Sequence, residues 1–379
     1  MTALFDGAFS GKTVLVTGHT GFKGSWLSLW LTELGAKVVG LALPPDTKPS
    51  LYEQLGLDRL MDSRIGDVRD EALVARVLGE ARPAFVFHLA AQPLVRRSYD
   101  APVETFAVNV LGLAHLLEAV RKTDSVRVCQ IITTDKCYEN REDERACSEE
   151  DRLGGRDPYS SSKACAELVV SSYRDSFFPP SKTGHGVSLS STRAGNVIGG
   201  GDWATDRLLP DSARALLRGQ KIVIRNQRSV RPWQFVLDPL SGYLRLASLQ
   251  AKAPASYAEP WNFGPNPGSA RTVGQVAGLV VRAWGSGAWT SAPADPSAPH
   301  EAGFLQLDSA KAARRLQWRP VYDLEQAVEE TVAWYRASGE RGFNALASTR
   351  RQINSYAQAA TQAGLSWAAK PRREATRVG

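Results

Sequence analysis

Cysteine is scarce: Cys129, Cys137, Cys147 and Cys165 are the only four in 379 residues. Their spacing matches no paired metal-binding pattern and their density is far below that of a disulfide scaffold, so reduced thiols and no metal are expected. No uninterrupted apolar run is long enough to cross a bilayer, and the N-terminus carries no secretory pattern. A soluble, cytoplasmic protein with no membrane partner is expected. No internal repeat is visible. The excess of 46 Lys and Arg over 39 Asp and Glu gives a net charge of +7. Those charges are dispersed rather than massed in a stripe, so no nucleic-acid partner is expected either. An anionic small substrate plus a basic tail accounts for them more simply.

What the chain does have is punctuation by glycine. Residues 13–17, Thr-Val-Leu-Val-Thr, read as a short buried strand. After it come Gly18-His19-Thr20-Gly21-Phe22-Lys23-Gly24 and an apolar helical pattern through Trp26, Leu27, Leu29, Trp30, Leu31 and Leu34. Glycines in this register allow a tight turn, a close approach of backbone to a pyrophosphate, and tight packing of helix over strand. The helix N-terminus adds amide donors and the positive end of its dipole. A lone glycine motif is weak, but here strand, glycines and helix stand in the right order. Further strand-like runs lie at 37–42, 65–68, 84–89, 126–132 and 186–190, separated by helical patterns. The alternation predicts an α/β fold with a doubly wound parallel sheet of the Rossmann type, its strand C-termini lining one crevice.

Thr133, Thr134, Asp135 and Lys136 fall at one such strand end. Tyr159 and Lys163 follow in the run Asp157-Pro158-Tyr159-Ser160-Ser161-Ser162-Lys163. Asp157 is a good N-cap and Pro158 a good first helical residue, so the spacing sets Tyr159 and Lys163 on one face of a helix that starts there. A positive charge near a phenol favours the phenolate, and such a Tyr can exchange a proton with a substrate hydroxyl near neutral pH. Tyr-x-x-x-Lys is common by chance. The dinucleotide site upstream gives it weight.

Longer runs make a resemblance specific: Gly18 to Trp26, His88-Leu89-Ala90-Ala91-Gln92-Pro93-Leu94-Val95-Arg96, Thr134-Asp135-Lys136-Cys137-Tyr138-Glu139-Asn140, Asp157 to Lys163, Arg193-Ala194-Gly195-Asn196-Val197-Ile198-Gly199-Gly200-Gly201-Asp202-Trp203, and Arg231-Pro232-Trp233-Gln234. In these runs, which span residues 11–340, the chain resembles the extended short-chain dehydrogenase/reductase family (NAD-dependent epimerases and dehydratases). Within it, the resemblance is to the nucleotide-sugar 4,6-dehydratases, and among these to the group acting on CDP-glucose. It implies a lyase that turns CDP-D-glucose into CDP-4-keto-6-deoxy-D-glucose and water. Tightly bound NAD is reduced at the C4 step and reoxidised at C6 within one turnover. Such products feed deoxysugar biosynthesis for lipopolysaccharide O-antigen.

The resemblance also carries over residues. Tyr159, supported by Lys163, takes the C4 hydroxyl proton and Thr134 hydrogen-bonds the C4 oxygen. Asp135 is the acid at the C6 hydroxyl, a role that requires its carboxyl to be protonated near neutral pH. Lys136 stands where dTDP-glucose relatives have a Glu as C5 base; it is either a base with a depressed pKa or the cation that steadies an enolate. The cofactor set is Gly18, Thr20, Gly21, Phe22, Lys23, Gly24, Asp67, Val68, Leu89, Ala90, Ala91, Gln92, Asn109 and Thr133, with Tyr159 and Lys163. Arg193, Asn196, Arg231, Gln92 and Trp203 are the substrate set, and Trp233 is a second aromatic that would close the pocket.

Two departures stand out. The second strand ends at Leu43, where close relatives often carry the Asp that binds the adenosine ribose, and Phe235 replaces a frequent His. The first leaves NAD against NADP open. An epimerase or reductase on the same fold, a dehydratase of a dTDP-, UDP- or GDP-sugar, and a non-catalytic NAD-binding regulator remain as alternatives. The expected organisation is a NAD-binding domain over 1–195 with a strand returning near 260–264, an interleaved substrate domain over 196–345, and a basic tail over 346–379. Residues 285–303 read as a loop. A homodimer or dimer of dimers, through the helices after residues 105 and 160, is the family-based expectation.

Overall fold

A computed structural model of the chain describes residues 1–139, 145–179, 186–266, 268–293 and 304–369. In chain order the first six long strands are β1 (Thr13–Thr17), β2 (Lys37–Ala42), β3 (Asp62–Ile65), β4 (Phe85–His88), β5 (Val128–Ile132) and β6 (Ser188–Ala194). They pair in the order β6-β5-β4-β1-β2-β3, all parallel, and Pro260–Phe263 adds a seventh parallel strand beside β6. Proline at the first residue of an edge strand sacrifices no ladder bond. Because both faces of the sheet are covered, the strands read as continuous apolar runs rather than as an alternation. Val14 and Val16 enter one core, with Trp26 and Trp30 of the helix Phe22–Glu33, while Leu15 enters the other, with Leu113, Leu116 and Leu117.

The third strand sits earlier than residues 65–68. Its last rung is Gly66 N donating to Ala42 O (2.8 Å), after which Asp70 N turns back onto Asp67 O and the Asp70 carboxylate accepts from Leu73 N (2.9 Å) to cap the helix Glu71–Ala81. Two aspartates that favour turn and cap take these residues out of the ladder.

The second half of the chain packs onto the same core. Gln130 in β5 donates to Tyr243 O (3.0 Å) on the helix Leu237–Lys252, and Trp26 Nε1 donates to Gly200 O (3.0 Å). The expected loop over 285–303 contains a short strand, Trp289–Ser291, paired in parallel with Ile222–Ile224; residues 294–303 lie outside the described residues.

The reading of a tail from residue 346 is corrected. Asn344 accepts from Ala347 N (2.9 Å) and caps a helix, Ala345–Gln362, that buries Ile353, Tyr356 and Ala360. Trp367, also buried, stacks on Phe5 with centroids 4.8 Å apart, and Phe5 N donates to Trp367 O (2.7 Å). The basic run Pro371-Arg372-Arg373 lies outside the described residues.

Pro102–Arg121 is a continuous 20-residue helical segment with mean hydropathy 1.4, enough by length and composition to cross a membrane, but half of that window is buried inside the protein.

Because Trp367 joins the C-terminal segment to Phe5 and to Trp30 of the helix Phe22–Glu33, Trp367→Ala should lower unfolding stability by about 3–5 kcal/mol in chemical denaturation. An unchanged midpoint would contradict the docked segment.

Candidate active site

The strand ends β1, β4, β5 and β6 open onto a crevice of about 1480 Å³. Its floor depends on two glycines. Gly18 has φ +75°, and a Cβ there would lie 2.7 Å from Ala90 N; a Cβ on Gly24 would lie 2.0 Å from Gly18 O. Side chains at either position would push apart the turn, the helix Phe22–Glu33 and the loop after β4. Gly21 begins that helix with no side-chain cap, leaving its N-terminus for an anion. Thr20 Oγ1 donates to Leu43 O (2.8 Å), and Leu43 itself stands 51% exposed just past β2. Phe22, Lys23, Leu89, Ala91 and Thr133 line the crevice.

Four expected cofactor residues do other work. Asp67 is paired with Arg69, and Val68 is buried against Gly112. Asn109 accepts from Gln92 N (2.9 Å) and donates to Gln92 O (3.2 Å) and to Ser162 Oγ (2.9 Å), tying the loop after β4 to the helix that carries Tyr159. Gln92 Nε2 donates to Leu94 O in its own loop and to Thr105 Oγ1 on the helical segment Pro102–Arg121, and its side chain does not line the crevice.

The reactive residues converge. Thr134 caps a single turn, Asp135–Cys137, directly after β5. Asp157 accepts from Ser160 N (2.9 Å) and caps the helix Pro158–Ser176, whose first turns carry Tyr159 and Lys163. Thr134, Asp135, Lys136, Tyr159 and Lys163 all line the crevice, with Asn196 and Arg231. Thr134 Oγ1 donates to Asp135 Oδ1 (2.8 Å), and Asp135 Oδ2 is buried without a partner among the described residues. Burial pushes the Asp135 carboxyl upward against the pull of Lys136, Thr134 and Arg231. Burial also pushes the Tyr159 phenol up to about 12; the Thr134 hydroxyl pulls it down most, with the Arg207 guanidinium acting in the same direction. The sequence reading gives that pull to Lys163, but the Lys163 ammonium is turned to Ile132 O (3.4 Å) and is itself lowered to about 8 by burial.

Two expected substrate ligands do not line the crevice. Arg193 is buried beneath the crevice, bound to Glu167 (2.7 Å) and donating to Tyr138 Oη (2.6 Å). Trp203 donates to Gln54 (2.9 Å) and packs against Trp334 and Tyr335, away from the lining, which Trp233 does join. Sequence reasoning missed Arg207, which lines the crevice, faces Tyr159 and pairs with Asp202 (2.9 Å). It also gave no weight to the depth of Lys23: burial, with Lys163 and Arg207 nearby, lowers its ammonium to about 7 while it donates to Tyr243 Oη (3.0 Å). Glu167 was missed too, although its place four residues after Lys163 on one helix face was a usable signal. Asn140 lies outside the described residues.

A Rossmann sheet with the glycine turn, Tyr159 and Lys163 at one rim defines an extended short-chain dehydrogenase/reductase. The chain belongs to the GDP-mannose 4,6 dehydratase family, whose model matches residues 15–331. It is 49% identical over 355 residues to a CDP-glucose 4,6-dehydratase of Salmonella typhimurium (strain LT2), covering 93% of this chain and 98% of that protein. A dTDP-glucose 4,6-dehydratase of Xanthomonas campestris pv. campestris is 28% identical over 350 residues, covering 85% of this chain and 93% of its own. Among solved structures, a UDP-glucose 4-epimerase of Thermus thermophilus in complex with NAD superposes with a TM-score of 0.70 at 29% identity, covering 86% of this chain and 99% of its own. A dTDP-glucose 4,6-dehydratase of Streptomyces venezuelae with NAD and TYD bound gives 0.72 at 24% identity, covering 86% and 97%; at that identity the likeness is one of fold.

A Cβ on Gly195 would lie 2.6 Å from both Asp135 Oδ2 and Pro232 Cγ. Gly195→Ala is therefore expected to shift Asp135 and lower kcat about 10²-fold while circular dichroism stays native. Wild-type kcat would contradict this position for the carboxyl.

Proposed function

We propose that this chain is a CDP-glucose 4,6-dehydratase: it converts CDP-D-glucose to CDP-4-keto-6-deoxy-D-glucose and water with NAD as an internally recycled cofactor. The observation that carries the reading is a buried acid with a raised pKa, Asp135, hydrogen-bonded by Thr134 and set in the same crevice as Tyr159 and Lys163. An epimerase or reductase needs only the Tyr and Lys. Loss of water from C6 also needs a proton donor there, and a carboxyl that burial pushes toward its protonated form is suited to that. The preference for the cytidine nucleotide is supported by the 49% identity to the Salmonella enzyme against 28% to the dTDP-glucose enzyme of Xanthomonas.

The turn Gly18–Gly24, which a Cβ at either end would fill, fits a dinucleotide pyrophosphate, and Lys23, Leu89, Ala91 and Thr133 would hold the rest of the cofactor. When bound, NAD supplies the oxidant at C4 and, once reduced, the reductant at C6. Tyr159 takes the C4 hydroxyl proton and Thr134 steadies the C4 oxygen. The new C4 carbonyl acidifies C5. Lys136 serves that step either as the base that takes the C5 proton or as the enolate's counter-charge while another group takes that proton. Asp135 gives its proton to the departing C6 hydroxyl. Arg231, Arg207 and Asn196 are the crevice residues suited to the diphosphate, a guanidinium matching phosphate oxygens in pairs.

We further infer a cytoplasmic homodimer whose product is a deoxysugar precursor for lipopolysaccharide O-antigen. Val103 (82% exposed), Leu111 (57%) and Phe106 on the helical segment Pro102–Arg121, with Leu168 on the neighbouring helix Pro158–Ser176, supply apolar surface that a second copy can cover.

Tyr159→Phe tests the reading. Mixed with CDP-glucose and NAD, the variant should form reduced nicotinamide at least about 10²-fold more slowly than wild type. Undiminished formation would refute the assigned chemistry.

A further inference from the structure

Glu167 lies one turn beyond Lys163 on the helix Pro158–Ser176, is buried, and does not line the crevice. Its carboxylate is fully engaged. It accepts from Thr133 Oγ1, from Ser191 Oγ (2.6 Å) and from Arg193 Nη2 (2.7 Å). From Arg193 the network runs on: Nη1 donates to Tyr138 Oη (2.6 Å), Tyr138 Oη donates to Asn262 Oδ1 (2.8 Å), and Asn262 Nδ2 donates to Cys147 O (2.9 Å) and Asp308 O (3.2 Å). A single buried line of polar contacts thus joins the helix of Tyr159 and Lys163 to β5, β6 and the edge strand Pro260–Phe263.

A buried ion pair is a poor device for stability alone, since well-packed apolar residues of the same volume usually do as well or better. The location points to another use. Thr133, bound to the carboxylate, is the residue just before Thr134 and Asp135, and the Lys163 ammonium rests on the carbonyl of Ile132, just before Thr133. From this geometry we infer that Glu167 is a positioning residue for the reaction: its carboxylate keeps Lys163 charged beneath Tyr159 and, through Thr133, fixes the strand end that presents Thr134 and Asp135. The inference rests on the roles proposed above for Tyr159 and Lys163.

The charged and titratable groups around Lys163 act in both directions. Burial lowers its ammonium to about 8 and Glu167 on the same helix pulls it upward, while the Cys137 thiol in the turn after β5 is pushed well up by its own burial and carries no charge near neutral pH. Lys23 on the helix Phe22–Glu33 and His88 at the end of β4 face it and are themselves held down by burial and by its charge, Lys23 at about 7 and His88 at about 3. Glu167 stays ionised because Arg193, Ser191 and Thr133 together outweigh its burial. Glu167 is thus the carboxylate that favours the charged form of Lys163.

Without the carboxylate, Lys163 loses its proton at lower pH, so the alkaline limb of the rate of reduced-nicotinamide formation moves to lower pH. For Glu167→Gln a shift of about one unit is expected. The Lys163 ammonium, followed by NMR in the protein without substrate, should titrate lower by the same amount. Ser191→Ala removes one hydrogen bond but no charge and should leave the limb in place, and Glu167→Asp should restore part of the shift. If Glu167→Gln does not fold, Glu167→Gln with Arg193→Met removes both buried charges and should still shift the limb downward. A folded variant lacking Glu167 with the wild-type limb and wild-type Lys163 titration overturns the inference. A shift of the same size in Ser191→Ala overturns it as well, because the effect would then follow packing rather than charge. Undiminished activity in Tyr159→Phe, by contrast, would remove the reading on which the inference stands.

Discussion

The withdrawal of charged side chains from water at the ends of β5 and β6 is the constraint on which the rest depends. Asp135, Lys163, Glu167 and Arg193 are each at most 7% exposed. In that setting a carboxyl with one hydrogen-bond donor drifts toward neutrality, as Asp135 does, whereas a carboxylate gripped by Arg193 and two hydroxyls stays ionised, as Glu167 does. The two acids within one stretch of the fold thereby move in opposite directions, Asp135 up and Glu167 down. A dehydration needs both kinds: a proton donor at the leaving group and fixed charge behind the base.

The scaffold is built to keep these groups dry and in place. β4, β5 and β6 run side by side in parallel, so their C-termini deliver the residues after His88, Ile132 and Ala194 to one rim. The helix Pro158–Ser176 is anchored there by its Asp157 cap, by Tyr159 N donating to Ser98 Oγ (3.1 Å), and by Asn109 reaching Ser162. Gly18, Gly24 and Gly195 mark the points where backbone and side chains approach too closely for a Cβ.

What was legible in the sequence was local. The glycine turn, the Asp157-Pro158 start and the four-residue spacing of Tyr159 and Lys163 are properties of short segments, and each is found where expected. Arg193 was read beside Asn196 as a substrate residue from proximity in sequence, but in the fold it does not line the crevice. In β6 alternate side chains share a face, and Arg193 joins Ser191 in pointing to Glu167. Gln92 and Asn109 looked like ligands but satisfy each other. The C-terminal helix was invisible because its few apolar residues are scattered among basic and polar ones. They make sense only beside Trp30, against which Tyr356 packs edge to face from more than three hundred positions away. The early end of β3 followed from turn and cap preferences of Asp67 and Asp70 that an apolar reading of Ile65 and Val68 overrode.

The central claim is that oxidation at C4, loss of water across C5 and C6, and reduction at C6 occur in one crevice with no net change in cofactor. The direct measurement is to incubate the purified protein with CDP-glucose and NAD in deuterated water and to read the product by mass and proton NMR. The account predicts a 4-keto-6-deoxy sugar carrying deuterium at C5, with total oxidised cofactor unchanged. A product that keeps its C6 hydroxyl, whether inverted at C4 or oxidised with stoichiometric loss of NAD, would contradict it.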